Sequence, residues 1–358
     1  MEATRKDEIK KIWRECFDDT PEYVEMYFNR VYSERDALTL EKGERIVSSL
    51  LLQPYSFRFQ GTDVTIGYIA GAATRRNARG KGYMSELMVG ALDEAARRGY
   101  MAVALIPASD ALYFFYDRFD FSTVFYYDPQ RFTGLHAFTP VGHYTSVDDV
   151  YADDVYSAFR AFEESRPCGV LHTRRDFLNI LDDLGHDGGK FFALRSDDGA
   201  VVSMAFATPS DDRVIVKELL GVDADAREAA LAAVRERWLG VAIGVFAPAH
   251  EAKDEGNGRR LNSRGMARIV NVPLCLGIVA AANPRLRLAI RVTDRLMPAN
   301  THTYIIKDGM CAISDDAPRR LDFDVDIDTL NKIVFSAPEI GEILGFPSQR
   351  PNLRLMLD

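Results

Sequence analysis

Apolar side chains recur at Ile9, Ile12, Trp13 and Cys16, the spacing of one buried helix face. Thr20 then caps a second helix, with Pro21 at its first position, Glu22 next, and Val24, Tyr27, Phe28 and Val31 along its apolar side. The pattern changes to that of strands, predicted at 45–52, 55–60 and 65–74, with Gln60-Gly61-Thr62-Asp63 as the turn between the last two. Helical spacing returns at Met84, Leu87, Met88, Ala91, Leu92 and Ala95. Arg97 and Arg98 suit the negative end of this helix, and Gly99 supplies a left-handed C-cap. A buried strand over 100–106 closes at Pro107. Ser109 opens a short helix carrying Ala111, Leu112, Phe115 and Phe119, and a strand over 121–127 ends at Asp128-Pro129.

The same order returns further on. Helices are predicted at 151–164 and 173–183, strands at 190–195, 201–207 and 213–220, a helix at 225–238 and a strand at 241–247. Gly256-Asn257-Gly258 reads as a linker, and the remainder mixes short strands with two late helices near 327–335 and 337–345. The expected architecture is therefore α/β (α+β), with domains at 1–143, 144–258 and 259–358.

Between the strand ending at Thr74 and the helix after it stands Arg75-Arg76-Asn77-Ala78-Arg79-Gly80-Lys81-Gly82. A strand feeding a glycine turn at a helix N-terminus exposes unpaired backbone N–H groups where anions are favoured. Arg79 and Lys81 add formal charge at the same spot, so the loop is suited to phosphate. A Walker-type loop fails, because Gly82 follows Lys81 and Arg75 stands where its first glycine belongs. The dinucleotide fingerprint fits Gly80 and Gly82 but meets Ser85 at its third glycine. The acetyl-coenzyme A loop, R/Q-x-x-G-x-G/A, fits Asn77 to Gly82 except at its first position. A plain helix start with a basic surface is the remaining alternative. The equivalent loop of the second copy, Leu219 to Arg227, has one glycine and the aspartates Asp223 and Asp225, which would repel a pyrophosphate.

The chain of 358 residues is 47% hydrophobic, enough to build real cores, and its net charge of −9 disfavours nucleic acid and acidic membranes as partners. The N-terminus lacks the apolar core of a signal peptide. Cys16, Cys168, Cys275 and Cys311 are scattered, and His136, His143, His172, His186, His250 and His302 never fall at metal-ligand spacing. No metal and a cytoplasmic location are expected.

The first domain resembles the GCN5-related N-acetyltransferase (GNAT) superfamily, on element order, on the Arg79–Gly82 loop and on Tyr113-Phe114-Phe115-Tyr116-Asp117-Arg118-Phe119-Asp120-Phe121. That last stretch matches an F-Y-x-x-x-G-F signature, with Asp120 in place of its glycine. The whole chain resembles the enhanced intracellular survival (Eis) family, which joins two GNAT-type domains, the second degenerate, to a sterol-carrier-protein-like domain. The matching C-terminal stretches run from Arg268 to Pro273 and from Val292 to Asn300. The resemblance implies acetyl transfer from acetyl-coenzyme A, as cosubstrate, to a primary amine of a polyamine, an aminoglycoside-like molecule or a lysine. It implies that backbone groups of Ala72, Ala73 and Thr74 pair with the pantetheine arm, and that Arg79, Gly80, Lys81 and Gly82 hold the pyrophosphate. Arg75 or Arg76 would reach the 3′-phosphate. Tyr116 would protonate the leaving thiolate, with Tyr113 as the fallback, and the terminal carboxylate of Asp358 would act as base. The family also tends to form homo-oligomers. A lipid carrier built on the C-terminal domain, or an acyl-coenzyme A sensor, is the alternative class.

Overall fold

The computed structural model describes residues 4–249, 261–314, 320–335, 337 and 349–357. Their contacts define two compact units, Met1–Phe125 with Arg264–Pro351, and Tyr126–Ser263 with Asn352–Leu357. The first opens with α1 (Arg5–Cys16), capped by Thr4, and α2 (Pro21–Arg30), capped by Thr20. There follow β1 (Ala37–Lys42), β2 (Arg45–Phe59), β3 (Thr62–Thr74), a 3₁₀ turn (Arg76–Ala78), α3 (Tyr83–Arg97), β4 (Ala102–Leu105), α4 (Asp110–Asp117) and the start of β5 (Ser122–Phe132), whose residues from Tyr126 on belong to the second unit. Two expectations change here. β1 is an additional strand, unannounced because an edge strand with Thr39, Glu41 and Lys42 carries little apolar signal. β2 is one strand where the pattern predicts a break at Pro54. β1 pairs only as far as Leu51, so the missing N–H of Pro54 falls beyond that neighbour and interrupts no bond with it.

The second unit holds β6 (Thr145–Ser146), α5 (Asp153–Glu164), β7 (Gly169–Leu171), α6 (Arg174–His186), β8 (Lys190–Arg195), β9 (Val201–Ser210), β10 (Arg213–Gly221), α7 (Ala224–Arg237) and β11 (Ala242–Pro248). β8, β9 and β10 are antiparallel neighbours, β10 and β11 are parallel, and α7 is the crossover between them. This matches β1, β2, β3, α3 and β4 element for element, with β3 and β4 the parallel pair.

The chain then returns to the first unit through β12 (Asn262–Ile269), which pairs antiparallel with β4. α8 (Val272–Ala282) comes next, capped by Asn271 with Pro273 in its first turn. The sequence pattern does not announce this helix, because apolar residues surround it and leave no 3.6-residue period to read. β13 (Leu288–Thr293), β14 (His302–Lys307), β15 (Met310–Ser314) and β16 (Phe323–Asp326) form a four-stranded sheet in the order β15-β14-β13-β16, closed by α9 (Ile327–Val334). The helix predicted near 337–345 and the linker at 256–258 lie outside the described residues. Among the described residues no helix is long and apolar enough to cross a membrane.

One irregularity in β3 re-aims its free end. Ser49 pairs with Ala73 and Leu51 with Ala70, so Gly71 and Ala72 together oppose Leu50 in a β-bulge. Gly71 has φ +58°, and a Cβ there would stand 2.1 Å from Cζ3 of Trp13. Only glycine meets both demands. Gly71→Ala should destabilise the protein by about 2–5 kcal/mol, the sum of a left-handed alanine and an overpacked neighbour, read as a lowered denaturation midpoint.

Candidate active site

Pairing between β3 and β4 is confined to Gly67 with Val103 and Tyr68 with Ala104, although β3 continues to Thr74. The two strands therefore part beyond Tyr68. At the free end of β3 lies a cavity of about 660 Å³, lined by Cys16 and Phe17 from the end of α1, by Ala72, Ala73 and Thr74, by the loop and first turn of α3, and by Leu112, Phe115, Tyr116 and Arg118 of α4 and its C-cap.

Hydrogen bonds pin the end of β3. The Thr74 carbonyl accepts from Cys16 Sγ at 3.3 Å and from Arg79 Nε at 3.2 Å, and the Thr74 hydroxyl shares a 2.7 Å bond with Ser48. Gly80 and Gly82 both take left-handed backbone, φ +76° and +79°, with no atom within 4 Å of where a Cβ would be. Gly82 is the N-cap of α3 and offers no side-chain bond, so the first N–H groups of the helix, at Tyr83, Met84 and Ser85, have neither an intrahelical partner nor a side-chain cap. Those three residues line the cavity. Arg75 does something other than expected. Its buried guanidinium donates to the Ile46 carbonyl at 2.9 Å and pairs with Glu8 at 2.6 Å and Glu15 at 3.5 Å, bracing the loop against α1. That arginine is occupied and not open to a phosphate.

Tyr116 is buried in the last turn of α4, and burial pushes its phenol up to about 12, so it stays protonated across the neutral and mildly alkaline range. The turn after it is kept although glycine is absent. Asp120 takes φ +59° in glycine's place. Asn331 Nδ2 donates to the Asp120 carbonyl at 3.0 Å, and Arg295 pairs with the Asp120 carboxylate at 3.1 Å. Beneath this turn Arg268 is fully buried, donating to the Phe119 carbonyl at 2.8 Å and pairing with buried Asp294 at 2.7 Å. Asp294 also accepts from the N–H groups of Leu296 and Met297 and from Asn300 Nδ2. The C-terminal stretches noted in the sequence thus form the bed on which the end of α4 rests.

Of the sequence-predicted residues, Ala72, Ala73, Thr74, Arg79, Gly80, Gly82 and Tyr116 line this one cavity. Lys81 is exposed on the same loop, outside the lining, and Tyr113 packs partly buried into the surrounding core. Asp358 lies outside the described residues, while Leu353 to Leu357 just before it are buried. Sequence reasoning does not find Cys16, Phe17 and Arg118 as lining residues; nothing in their local spacing marks them. In the second unit the equivalent helix start carries its own side-chain cap. Asp223 caps α7, and Asp225 accepts from the N–H groups of Val141 and Gly142 and from the Tyr144 hydroxyl, all within 2.9 Å.

Residues 1–124 match the family model described as the acetyltransferase (GNAT) domain. No curated protein matches the chain. Among solved structures, the chain is similar to a conserved protein of Enterococcus faecalis V583 described as a probable N-acyltransferase, 14% identical, covering 99% of this chain and 96% of that one with a TM-score of 0.74. It is also similar to a GCN5-related N-acetyltransferase of Kribbella flavida, 18% identical, covering 95% and 88% with a TM-score of 0.69. Eis1 of Mycobacterium abscessus is 14% identical, covering 93% and 88% with a TM-score of 0.68. The structural likenesses establish the mixed α/β fold, and the family match supports acyl transfer from an acyl-coenzyme A to an amine.

Gly82→Glu would place a carboxylate in front of the α3 N–H groups. Calorimetry should find one coenzyme A bound per wild-type chain and none in the folded mutant.

Proposed function

We propose that this protein is an N-acetyltransferase that moves acetyl from acetyl-coenzyme A to a primary amine by direct attack in a ternary complex. The observation that carries the reading is a single cavity joining an uncapped helix N-terminus, a bulged strand end and a buried tyrosine. The α3 N–H groups with Arg79, Gly80, Lys81 and Gly82 hold the pyrophosphate. Ala72, Ala73 and Thr74 pair with the pantetheine arm, and an N–H beside the bulge polarises the thioester carbonyl. The amine nitrogen attacks the carbonyl carbon, the C–S bond breaks, and Tyr116 gives its proton to the departing sulfur. The amine's surplus proton goes to the α-carboxylate of Asp358, and the Tyr116 phenolate regains a proton from solvent.

The chain reads as a catalytic GNAT domain over 1–143, a degenerate copy over 144–258 that binds no cofactor, and a sterol-carrier-like region over 259–358 whose role is structural. The acceptor is a small cationic amine, a polyamine, an aminoglycoside-like molecule or a lysine side chain, in keeping with the net charge of −9. Four free thiols suit a cytoplasmic location.

A thiol-release assay with acetyl-coenzyme A across polyamines, aminoglycosides and lysine peptides tests the activity; binding of coenzyme A without release on any acceptor would favour a sensor instead. Tyr116→Phe should lower kcat by roughly a hundredfold or more, the range of a general acid, with little change in acetyl-coenzyme A affinity. Because its phenol is raised by burial, no alkaline loss of activity traceable to Tyr116 is expected below about pH 11.

The role of Asp358 has its own test. The segment ending at Leu357 is buried and anchored: Asn352 N–H donates to the Cys168 carbonyl at 3.1 Å, and Arg354 donates to the Ala247 carbonyl at 3.2 Å beside Tyr127 and Phe246. Two or three residues added after Asp358 should abolish turnover, while the same addition before Met1 is harmless. Wild-type turnover in the extended protein would move the base to a side chain or a water relay.

A further inference from the structure

Coenzyme A carries a third phosphate, on the ribose, beyond the pyrophosphate that the α3 loop accounts for. Arg75, one sequence candidate for it, is buried against Glu8 and Glu15, and Arg76, the other, is exposed on the loop outside the cavity lining. One further cation lines the cavity from a different element. Arg118 stands at the C-cap of α4, its guanidinium 4.7 Å above the Phe115 ring, and Phe115 lines the same cavity. Its Nε is directed to the Phe115 carbonyl at 3.4 Å, and no carboxylate lies within ion-pair distance among the described residues. Its backbone is fixed as well, since the Arg118 carbonyl accepts from Arg295 at 2.8 Å.

We infer that Arg118 binds the ribose 3′-phosphate and gives the site its preference for the 3′-phosphorylated cofactor. This rests on the coenzyme A reading of the cavity. Stacking on Phe115 uses one face of the guanidinium and leaves the in-plane Nη edge to donate to two phosphate oxygens at once. Arg79 cannot serve both anions: its Nε is bonded back to Thr74, at the loop where the pyrophosphate sits. A cation at the end of α4 is also favoured by the helix dipole. That alone would give Arg118 a structural effect with no dependence on the ligand's third phosphate.

Calorimetry with coenzyme A and with 3′-dephospho-coenzyme A, on the full chain and on Arg118→Gln and Arg118→Lys, separates the two roles. Wild type should prefer coenzyme A by about tenfold or more, the usual scale of a charge-assisted contact. Arg118→Gln should lose that factor for coenzyme A and bind the dephospho compound as wild type does. Arg118→Lys should fall between, keeping charge without the fork. A glutamine variant with the wild-type preference intact, or one weakened equally for both ligands, would overturn the assignment. If wild type bound neither compound, the coenzyme A reading itself would fall, an outcome distinct from the loss of Arg118's role.

Discussion

The first unit is organised around one buried charge. Arg268 enters on β12 among apolar neighbours and is held by Asp294, the Phe119 and Ile269 carbonyls and Met297 Sδ. Burial pulls the guanidinium down from its ordinary pKa, and Asp294, opposing, keeps the charged form in place. A lone buried charge is among the costliest objects a core can contain, and a half-made network is worse than none. The partners must therefore all be present at once, which ties the turn that follows α4, β12 and the turn after β13 into a single arrangement. Tyr116 lies directly before the first of these turns.

The two crossover helices show how little sequence separates an uncapped helix start from a capped one. α3 begins with a left-handed glycine that offers no side-chain oxygen, so its first N–H groups carry no side-chain cap. α7 begins with Asp223, which satisfies one N–H itself, and Asp225 draws the backbone of residues 141–142 over the same end. Both strands that feed these helices carry a bulge, at Gly71–Ala72 in β3 and at Lys217 in β10. After the second bulge comes Glu218, buried against Arg166. The scaffold is repeated, and the two helix starts are finished differently.

Much of this is legible in the residues. Apolar spacing locates α1, α2 and α3, and Thr20 with Pro21 marks the start of α2. The glycine loop is readable because positive φ at Gly80 and Gly82 is a local demand. Elements without such signals are not. β1 is a polar edge, and α8 is apolar on every side. Long-range pairing is equally hidden. Arg75 looks like a solvated cation beside a phosphate loop until α1 brings Glu8 and Glu15 to it. Asp120 reads as a broken signature until Asn331, over two hundred residues later, supports its backbone.

That last contact bears on where the N-terminal part of this chain can be cut. The family match ends at residue 124, and a boundary drawn there looks natural. Yet the strained turn at Asp120 is secured by Arg295 and Asn331, Ser122 bonds to Asp328, and the Ile269 N–H donates to Asn331. An excised N-terminal piece would keep its glycine loop and lose every one of these supports, leaving a non-glycine residue in left-handed backbone with only its local backbone bonds. The matched N-terminal stretch is thus not a self-contained unit: the contacts that support it are discontinuous in sequence, and gene fusions or shuffled variants cut at residue 124 separate it from them.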